Sequence, residues 1–151
     1  MHTKCLPLSI VPLLFFALAL RGQPVQKTLV RAFDIGVAQE VVLDMGGPVT
    51  VQHWSNGIVR VQMQVVLDNA HQNMLQSLIS SGRYNLKGET QGSVFTITAP
   101  GLRKTVRVGD APLSERVAFT VFVPENATIT VSGGKPVEDL ADGVPGANKP
   151  M

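Results

Sequence analysis

The sequence predicts a mainly β protein: an antiparallel meander or β-sandwich, or a short β-solenoid-like head, with one short helix packed on the sheet. Three observations predict it. From Lys27 onward, apolar residues recur with a period of two, as in strands with one buried face. Asn-Gly and Gln-Gly dipeptides separate some of these segments at positions suited to tight turns. A single segment carries apolar residues at helical spacing. We predict that residues 27–132 form this one β-rich domain.

The N-terminal residues 1–22 have the pattern of a secretory signal peptide. Lys4 precedes an apolar run at residues 6–20. A membrane-spanning helix needs ~20 apolar residues, whereas the apolar core of a signal peptide has ~7–15. Cleavage after Gly22 is preferred, and cleavage before Leu20 and an uncleaved membrane anchor are the alternatives. We therefore predict export to the periplasm, the cell surface or the medium, with no transmembrane segment in the mature chain.

Removal of the signal peptide would change the chemistry of the chain. Cys5 is its only cysteine, so the mature chain would have no thiol, disulfide or thiolate metal site. Lys4 and Arg21 would also leave, and the basic and acidic residues that remain are equal in number. A net charge of zero gives no electrostatic reason to expect nucleic acid as a partner.

The first strands are predicted at residues 41–44, 49–52 and 58–66. In the last of these, valines and Met63 alternate with Arg60 and glutamines. Asn56-Gly57 lies between the second and third segments, and this dipeptide favours the positive backbone angles of a two-residue hairpin. Residues 41–66 are therefore predicted to form a meander.

A short helix is predicted next. Asp68 or Asn69 would cap its first turn, and Gly82 would end it in the left-handed conformation. About three turns are too short to be stable alone, so the helix should dock on the sheet. The apolar residues on its buried face would be Ala70, Met74, Leu75, Leu78 and Ile79.

The remaining segments are again strand-like. Residues 84–90 and 93–99 are predicted to form a hairpin across Gln91-Gly92, and residues 104–108 a short strand after Pro100-Gly101. Residues 116–123 are apolar on both faces, which predicts a central strand covered on both sides. Residues 128–131 form the last predicted strand. The Gly- and Pro-rich residues 133–151 are predicted to be a flexible tail.

Two Val-x-Val segments flank Trp54, in Pro48-Val49-Thr50-Val51 and Val59-Arg60-Val61. These two segments resemble the bacterial putative-adhesin family of unknown function. Four further segments share the resemblance: residues 82–86, 94–100, 122–124 and 129–131. The resemblance covers roughly residues 33–132. It implies an exported β-rich head domain, which in this family usually continues into a ladder of short repeated strands. Here the Gly/Pro-rich tail follows instead. The family has no agreed activity, so the resemblance assigns no functional residue.

No pattern of catalytic, cofactor-binding or metal-binding residues is present. The chain lacks a Gly-x-Ser-x-Gly motif, and its serines lie in turns or at the helix end. His53 and His71 have no metal-ligand spacing, and surface or capping roles suit them better. We therefore predict that the protein is not an enzyme and holds no cofactor.

The candidate contact residues are Trp54, Arg103, Lys104 and Arg107. Trp54 at a hairpin end could stack on a sugar ring or anchor a partner, or it could fold over the adjacent strands. The basic cluster of Arg103, Lys104 and Arg107 could meet an anionic glycan or lipid headgroup, or its charges could protect a strand edge.

The sequence thus predicts an exported, non-enzymatic envelope or surface protein that makes adhesin-like contacts through its β surface. Its expected partner is an envelope protein or a second copy of the chain. The alternative is a carbohydrate-binding β module that uses Trp54.

Overall fold

A computed structural model describes residues 23–68 and 70–133. The predicted signal peptide at 1–22, the capping candidate Asn69 and all but the first residue of the predicted tail lie outside the described residues. Across the described part of the chain, no helix has the length and apolar character needed to cross a membrane.

Within the described residues the fold is mainly β with one short α-helix, as the sequence predicts. The helix, α1, spans Gln72–Ser80, and a short 3₁₀ helix spans Pro100–Arg103. The strands are β1 (Val25–Asp34), β2 (Glu40–Asp44), β3 (Val49–Trp54), β4 (Ile58–Leu67), β5 (Lys87–Gln91), β6 (Val94–Thr98), β7 (Arg107–Val108), β8 (Ala111–Pro112), β9 (Glu115–Pro124) and β10 (Thr128–Ser132).

Two four-stranded sheets contain all the longer strands. The first sheet has the order β1-β4-β9-β3, and the second has the order β10-β2-β6-β5. In the first sheet β4 pairs antiparallel with β1 and β9, whereas β3 runs parallel to β9. In the second sheet β2 runs parallel to β10 and β6, and β5 forms an antiparallel hairpin with β6. The hairpin predicted across Gln91-Gly92 is therefore confirmed.

The meander predicted for residues 41–66 is wrong. β2 belongs to the second sheet, and β9 lies between β3 and β4 in the first. Phe119 of β9 is in register with both Val49 and Met63, so β9 pairs with both strands that the turn connects. Gly57 does not have a positive φ. The Asn56-Gly57 turn therefore reverses the chain direction, but β3 and β4 do not pair with each other. Both pair with β9, which is distant in sequence.

The core lies between the two sheets. Alternate residues of β4 and β9 point inward and are buried, whereas their neighbours point outward. Leu75 of α1 joins this core, so the helix docks as predicted. The largest fully buried side chains include Phe119, Leu43, Met45, Met63, Leu67, Leu75 and Ile97.

The helix ends as predicted but begins later. Its N-cap is His71, whose side chain makes no capping hydrogen bond, so the cap predicted at Asp68 is wrong. At the other end Gly82 has a φ of 78°. Its N–H donates to the Ile79 carbonyl at 3.0 Å, and the Arg83 N–H donates to the Leu78 carbonyl at 3.1 Å. This pair of bonds is the Schellman motif, which directs the chain away from the helix axis at Arg83.

Two strand predictions need correction near residues 84–108. The second hairpin begins at Lys87 instead of residue 84, because Tyr84 is buried and bonded to Glu115. The predicted strand at 104–108 is reduced to β7, which pairs only with β8. The 3₁₀ helix ends just before this segment, at Arg103.

β9 is a central strand, as predicted, but only one of its faces is fully covered. Phe119, Val121 and Val123 are buried toward the core. On the opposite face Ala118 is exposed and Phe122 is half-buried. The prediction of cover on both sides is therefore wrong, because no second layer of the described residues packs on this face. The apolar residues that suggested such a layer are left at the surface.

Candidate binding surface

The surface of interest is the outer face of the first sheet, which is the side of β1, β4, β9 and β3 away from the core. The register aligns Ala32, Arg60, Phe122 and Gln52 in one row across the four strands. Most other residues on this face are uncharged, and they include Gln26, Thr28, Val30, Thr50, Gln62, Gln64, Ala118 and Thr120.

Trp54, Phe122 and Arg60 form a cluster on this outer face. The two rings are 5.5 Å apart between centroids and tilted by 41°. The Arg60 guanidinium carbon lies 4.8 Å from the Trp54 ring centroid and 4.4 Å from that of Phe122. Arg60 is the direct register partner of Phe122, and Trp54 ends the strand on the other side of β9. Three strands thus bring these side chains together.

Arg60 is held by the aromatic rings and not by an acid. Its Nε is buried without a hydrogen-bond partner among the described residues. Within residues 23–68 and 70–133, no carboxylate forms an ion pair with it. Cation–π contacts stabilise such a guanidinium by ~0.5–1 kcal/mol at exposed sites and use none of its N–H donors. The cluster can therefore offer a fixed positive charge and an aromatic surface together.

Trp54 lies on the outside of the sheet and is half-buried. Its indole N–H donates to the Ile58 carbonyl at 2.9 Å, across the turn. A groove of about 250 Å³ borders the ring, and its lining includes Asn56, Glu125 and Asn126. The indole is thus fixed in orientation, and it stands beside polar side chains that could bond to a hydroxylated ligand.

Two of the three basic residues predicted as contacts form ion pairs or hydrogen bonds within the molecule. Arg103 forms an ion pair with Asp44, and Arg107 donates to the carbonyl of Asp110. Lys104 is exposed, and its backbone carbonyl accepts a bond from Arg83 at 2.9 Å. The Arg103, Lys104 and Arg107 cluster remains a prediction that no contact in the structure tests.

A buried polar network that the sequence does not signal lies near the helix end. The Arg83 side chain donates from Nε to Glu115 at 3.0 Å, and from Nη2 to the other carboxylate oxygen. Its Nη1 donates to the carbonyls of Gly101 and Lys104 at 3.2 and 2.9 Å. Tyr84 donates its hydroxyl to Glu115 at 3.0 Å. This network joins the helix end, the 3₁₀ helix and the start of β9.

The environment in this network raises the pKa values of Arg83 and Tyr84. The hydrogen bond to Glu115 raises the pKa of Arg83, against the opposing effect of burial. Burial raises the pKa of the Tyr84 hydroxyl well above its ordinary value, and the Glu115 carboxylate adds to this effect. Arg83 therefore stays charged and Tyr84 neutral. Since these groups bond to one another and to backbone carbonyls, we interpret the network as a structural clamp.

Neither His53 nor His71 lies in a cluster of potential ligands among the described residues. His53 and His71 are both exposed, at the end of β3 and at the start of α1. In the part of the chain that the structure describes, no three His, Cys, Asp or Glu side chains lie close enough to hold a metal ion.

Comparisons with known proteins give structural neighbours but no sequence relatives. The sequence matches no protein-family profile and no curated protein. A putative cell adhesion protein from Clostridium sporogenes is 10% identical with a TM-score of 0.41, over 71% of this chain and 46% of that one. A putative adhesin from Bacteroides fragilis is 11% identical with a TM-score of 0.39, over 73% and 41%.

A putative adhesin from Parabacteroides distasonis is 16% identical with a TM-score of 0.34, over 70% of this chain and 34% of that one. This chain thus spans less than half the length of each of the three. Two of these three solved structures are described as putative adhesins and one as a putative cell adhesion protein.

Proposed function

We propose that this protein is exported and acts, without catalysing a reaction, as an adhesin-like contact protein of the cell envelope or surface. Its contact surface would be the outer face of the first sheet, and its partner a protein. The observation that carries the proposal is the Trp54, Phe122 and Arg60 cluster on the outer sheet face, where the cation has no acidic partner among the described residues.

The composition of this face supports a protein partner. Protein interfaces are enriched in aromatic residues and arginine at their centres and depleted in other charges. Around the cluster the outer face carries mainly threonine, glutamine and small apolar side chains. Trp and Arg are also the residues whose truncation most often costs binding energy. The row through Arg60 and Phe122 would then be the centre of the contact, and the Gln/Thr rows its polar surroundings.

Binding of the purified protein to envelopes of the source organism tests this proposal. Arg60→Ala should weaken binding at least about 10-fold, which corresponds to the loss of ~1.4 kcal/mol from a central contact. Arg31→Ala is the matched control, because Arg31 also lies over an aromatic ring, 5.9 Å from the centroid of Phe33, but on edge strand β1. Equal binding by both variants and the unmodified protein would rule out this face.

The second candidate function is carbohydrate binding at the groove beside Trp54. The groove favours it, because Asn56, Glu125 and Asn126 there could bond to sugar hydroxyls while the ring supplies a stacking face. Pretreatment of the envelopes separates the two functions. Protease should abolish binding to a protein partner, and periodate should leave it intact. The opposite result, with quenching of Trp54 fluorescence by a glycan, would favour the carbohydrate module.

A further inference from the structure

We propose that the end of the molecule formed by β3 and β10 is a self-association surface, on which a second copy of the chain pairs edge to edge. We call this region the open end: the edges of β3 and β10 with the side chains of Val51, Ile129 and Val131. The inference deepens the proposed function, on which it rests for the contact-making role, by naming a second copy as one partner.

The strand order places these two edges together. β1 and β5 are the edge strands at the other end, and the ring of Phe33 in β1 contacts the tilted ring of Phe95 in β6, beside β5, with centroids 5.9 Å apart. A Cβ on Gly88 of β5 would lie 2.8 Å from the Phe33 ring. Since β1 and β5 face each other, the opposite ends of the two sheet orders, β3 and β10, also lie at one end of the molecule.

Both edges direct backbone groups outward that pair with none of the described residues. The Pro48 and Trp54 carbonyls accept bonds from Phe119 and Glu125, on the β9 side. Alternate residues of a strand bond to opposite sides, so the N–H and C=O groups of Val49, Val51 and His53 point to the open edge. In the same way, the Thr128 N–H donates to Gln39 beside β2. The backbone groups of Ile129 and Val131 in β10 therefore point outward.

Apolar side chains that face the core are only partly covered at this end. Val51, Ile129 and Val131 face inward between the sheets but are only half-buried. At the other end the Phe33 and Phe95 rings close the space between β1 and β6. A pair of strands added to β3 and β10 would satisfy the backbone groups and would cover these three apolar side chains in the same step.

Charge is distributed unevenly between the two ends. The edge strands β1 and β5 carry Lys27, Arg31, Asp34, Lys87 and Glu89. Lys27 and Arg31 lie on the inward-facing side of β1, in register with Val65 and Val61. Such charges are the usual protection against edge pairing. β10 has no charged residue and β3 has only His53 as an ionisable one, so the open end lacks this protection.

A second copy of the chain suits this end for two reasons. Its own β3 and β10 carry no charged side chains that would repel those of the first copy, and its two edges can pair with both edges of the first copy at once. Two copies related by a twofold axis present the same surface to each other. With the axis perpendicular to the sheets, β3 would pair antiparallel with the β3 of the second copy, and β10 with its β10. Each sheet would then continue across the axis, and the paired edges would no longer be exposed.

Sedimentation equilibrium of the purified protein tests the inference. We expect a monomer–dimer equilibrium in the micromolar range, which Gln52→Lys with Thr130→Lys weakens at least about 10-fold. Both residues are exposed, on β3 and β10. The matched control is Gln26→Lys with Thr90→Lys, which adds two lysines at exposed positions of the already charged edges and should leave the equilibrium unchanged. A protein that remains monomeric up to about 1 mM, or a control that dissociates equally, would overturn the inference.

Amide hydrogen exchange supplies a second measurement that does not depend on substitutions. The amides of Val51, His53, Ile129 and Val131 should exchange more slowly as the protein concentration rises. Those of Gln52 and Thr130 bond within the sheets and should be slow at every concentration. Protection of the outward amides at all concentrations would mean that another part of the same chain covers the edge, and it would overturn the inference.

The two proposals can fail separately. Arg60 lies on β4 in the first sheet, which is not an edge strand. If the self-association proposal is wrong, the protein is monomeric while Arg60→Ala still weakens envelope binding. If the proposed function is wrong, dimers form and the double-lysine variant separates them, yet envelope binding does not respond to Arg60.

Discussion

Arg60 and Arg83 are both removed from full contact with water, but their surroundings assign them different roles. Arg83 donates to a carboxylate and to two carbonyls, so its bonding capacity is used inside the molecule. Arg60 rests on two rings, and its buried Nε has no acceptor in the described part of the chain. The first arrangement stabilises the fold, and the second leaves a charge available to a partner.

The sequence identifies Trp54 but neither arginine. Trp54 stands out because it is the only tryptophan and lies beside a turn. Arg60 is predicted simply as an outward residue of an alternating strand, since nothing local indicates that Phe122 will be its neighbour. Arg83 and Glu115 are separated by 32 positions, and only the folded chain brings them together.

Removal of Arg83 should be costly. Its side chain is 7% exposed and that of Glu115 15% exposed, so Arg83→Ala would leave a buried carboxylate without its partner. We expect a loss of about 3–5 kcal/mol in the free energy of unfolding, measured by urea denaturation.

Two further variants test this prediction. Arg103→Ala breaks an ion pair whose side chains are 62% and 34% exposed, and it should cost under about 1 kcal/mol. Arg83→Met with Glu115→Leu should recover most of the lost stability, because no buried charge remains. Equal losses from Arg83→Ala and Arg103→Ala would contradict a buried clamp.

Tyr84 should make stability fall at alkaline pH. Burial raises its pKa, so the folded protein keeps a proton that the unfolded chain releases above about pH 10. This contribution to stability is therefore complete below about pH 10 and decreases by up to about 1.4 kcal/mol per pH unit above it. Tyr84→Phe lacks the hydroxyl, so its unfolding free energy should approach that of the unmodified protein between about pH 9 and 11. Parallel pH curves for the two proteins would show that Tyr84 titrates normally.

At the scale of elements, the sequence predicts where helices and strands end better than it predicts which strands pair. Gly82 ends α1, and the turn at Gln91-Gly92 connects β5 to β6. Both are predictable because a helix C-cap and a hairpin turn depend on only a few neighbouring residues. The segment after Pro100 is harder to predict. It forms a 3₁₀ helix whose close approach to Arg83 depends on the tertiary fold.

Gly101 should be essential for the 3₁₀ helix to lie close to the Arg83 backbone. A Cβ at this position would lie 2.1 Å from the Arg83 carbonyl oxygen, so the 3₁₀ helix would have to move away from the clamp. We expect Gly101→Ala to cost roughly 1–3 kcal/mol in thermal or urea unfolding. Gly57→Ala is the control, since its Cβ would meet nothing within 4 Å and should change stability by under about 0.5 kcal/mol. The close packing would be disproved if both variants were equally stable.

At the scale of the whole molecule, the pairing of strands is what the sequence leaves open. Alternation identifies which face of β3 and of β4 is buried, and the structure confirms those faces. It does not specify neighbours, and the pairs Val49 with Phe119 and Val41 with Ile129 join distant parts of the chain. The parallel pairs follow from this long-range order, whereas the local turn at Asn56-Gly57 favoured a hairpin.

Export itself can be tested on the whole chain. We expect the mature protein in the source cells to begin at Gln23, because Gly22 provides the small residue before the cleavage site. Mass spectrometry of the intact protein from the envelope and medium measures this directly. A start at Leu20 would support the alternative site, and retention of residues 1–22 in a membrane fraction would contradict the signal peptide.

The central claim is that the outer face of the first sheet makes the contact, and hydroxyl-radical footprinting of the envelope-bound protein tests it most directly. Trp54 and Phe122 are both half-buried and reactive, and Met74 on α1 is a half-buried reporter outside this face. We predict that binding lowers the oxidation of Trp54 and Phe122 and leaves Met74 unchanged. Protection of Met74, with Trp54 and Phe122 oxidised as in the unbound protein, would contradict the claim.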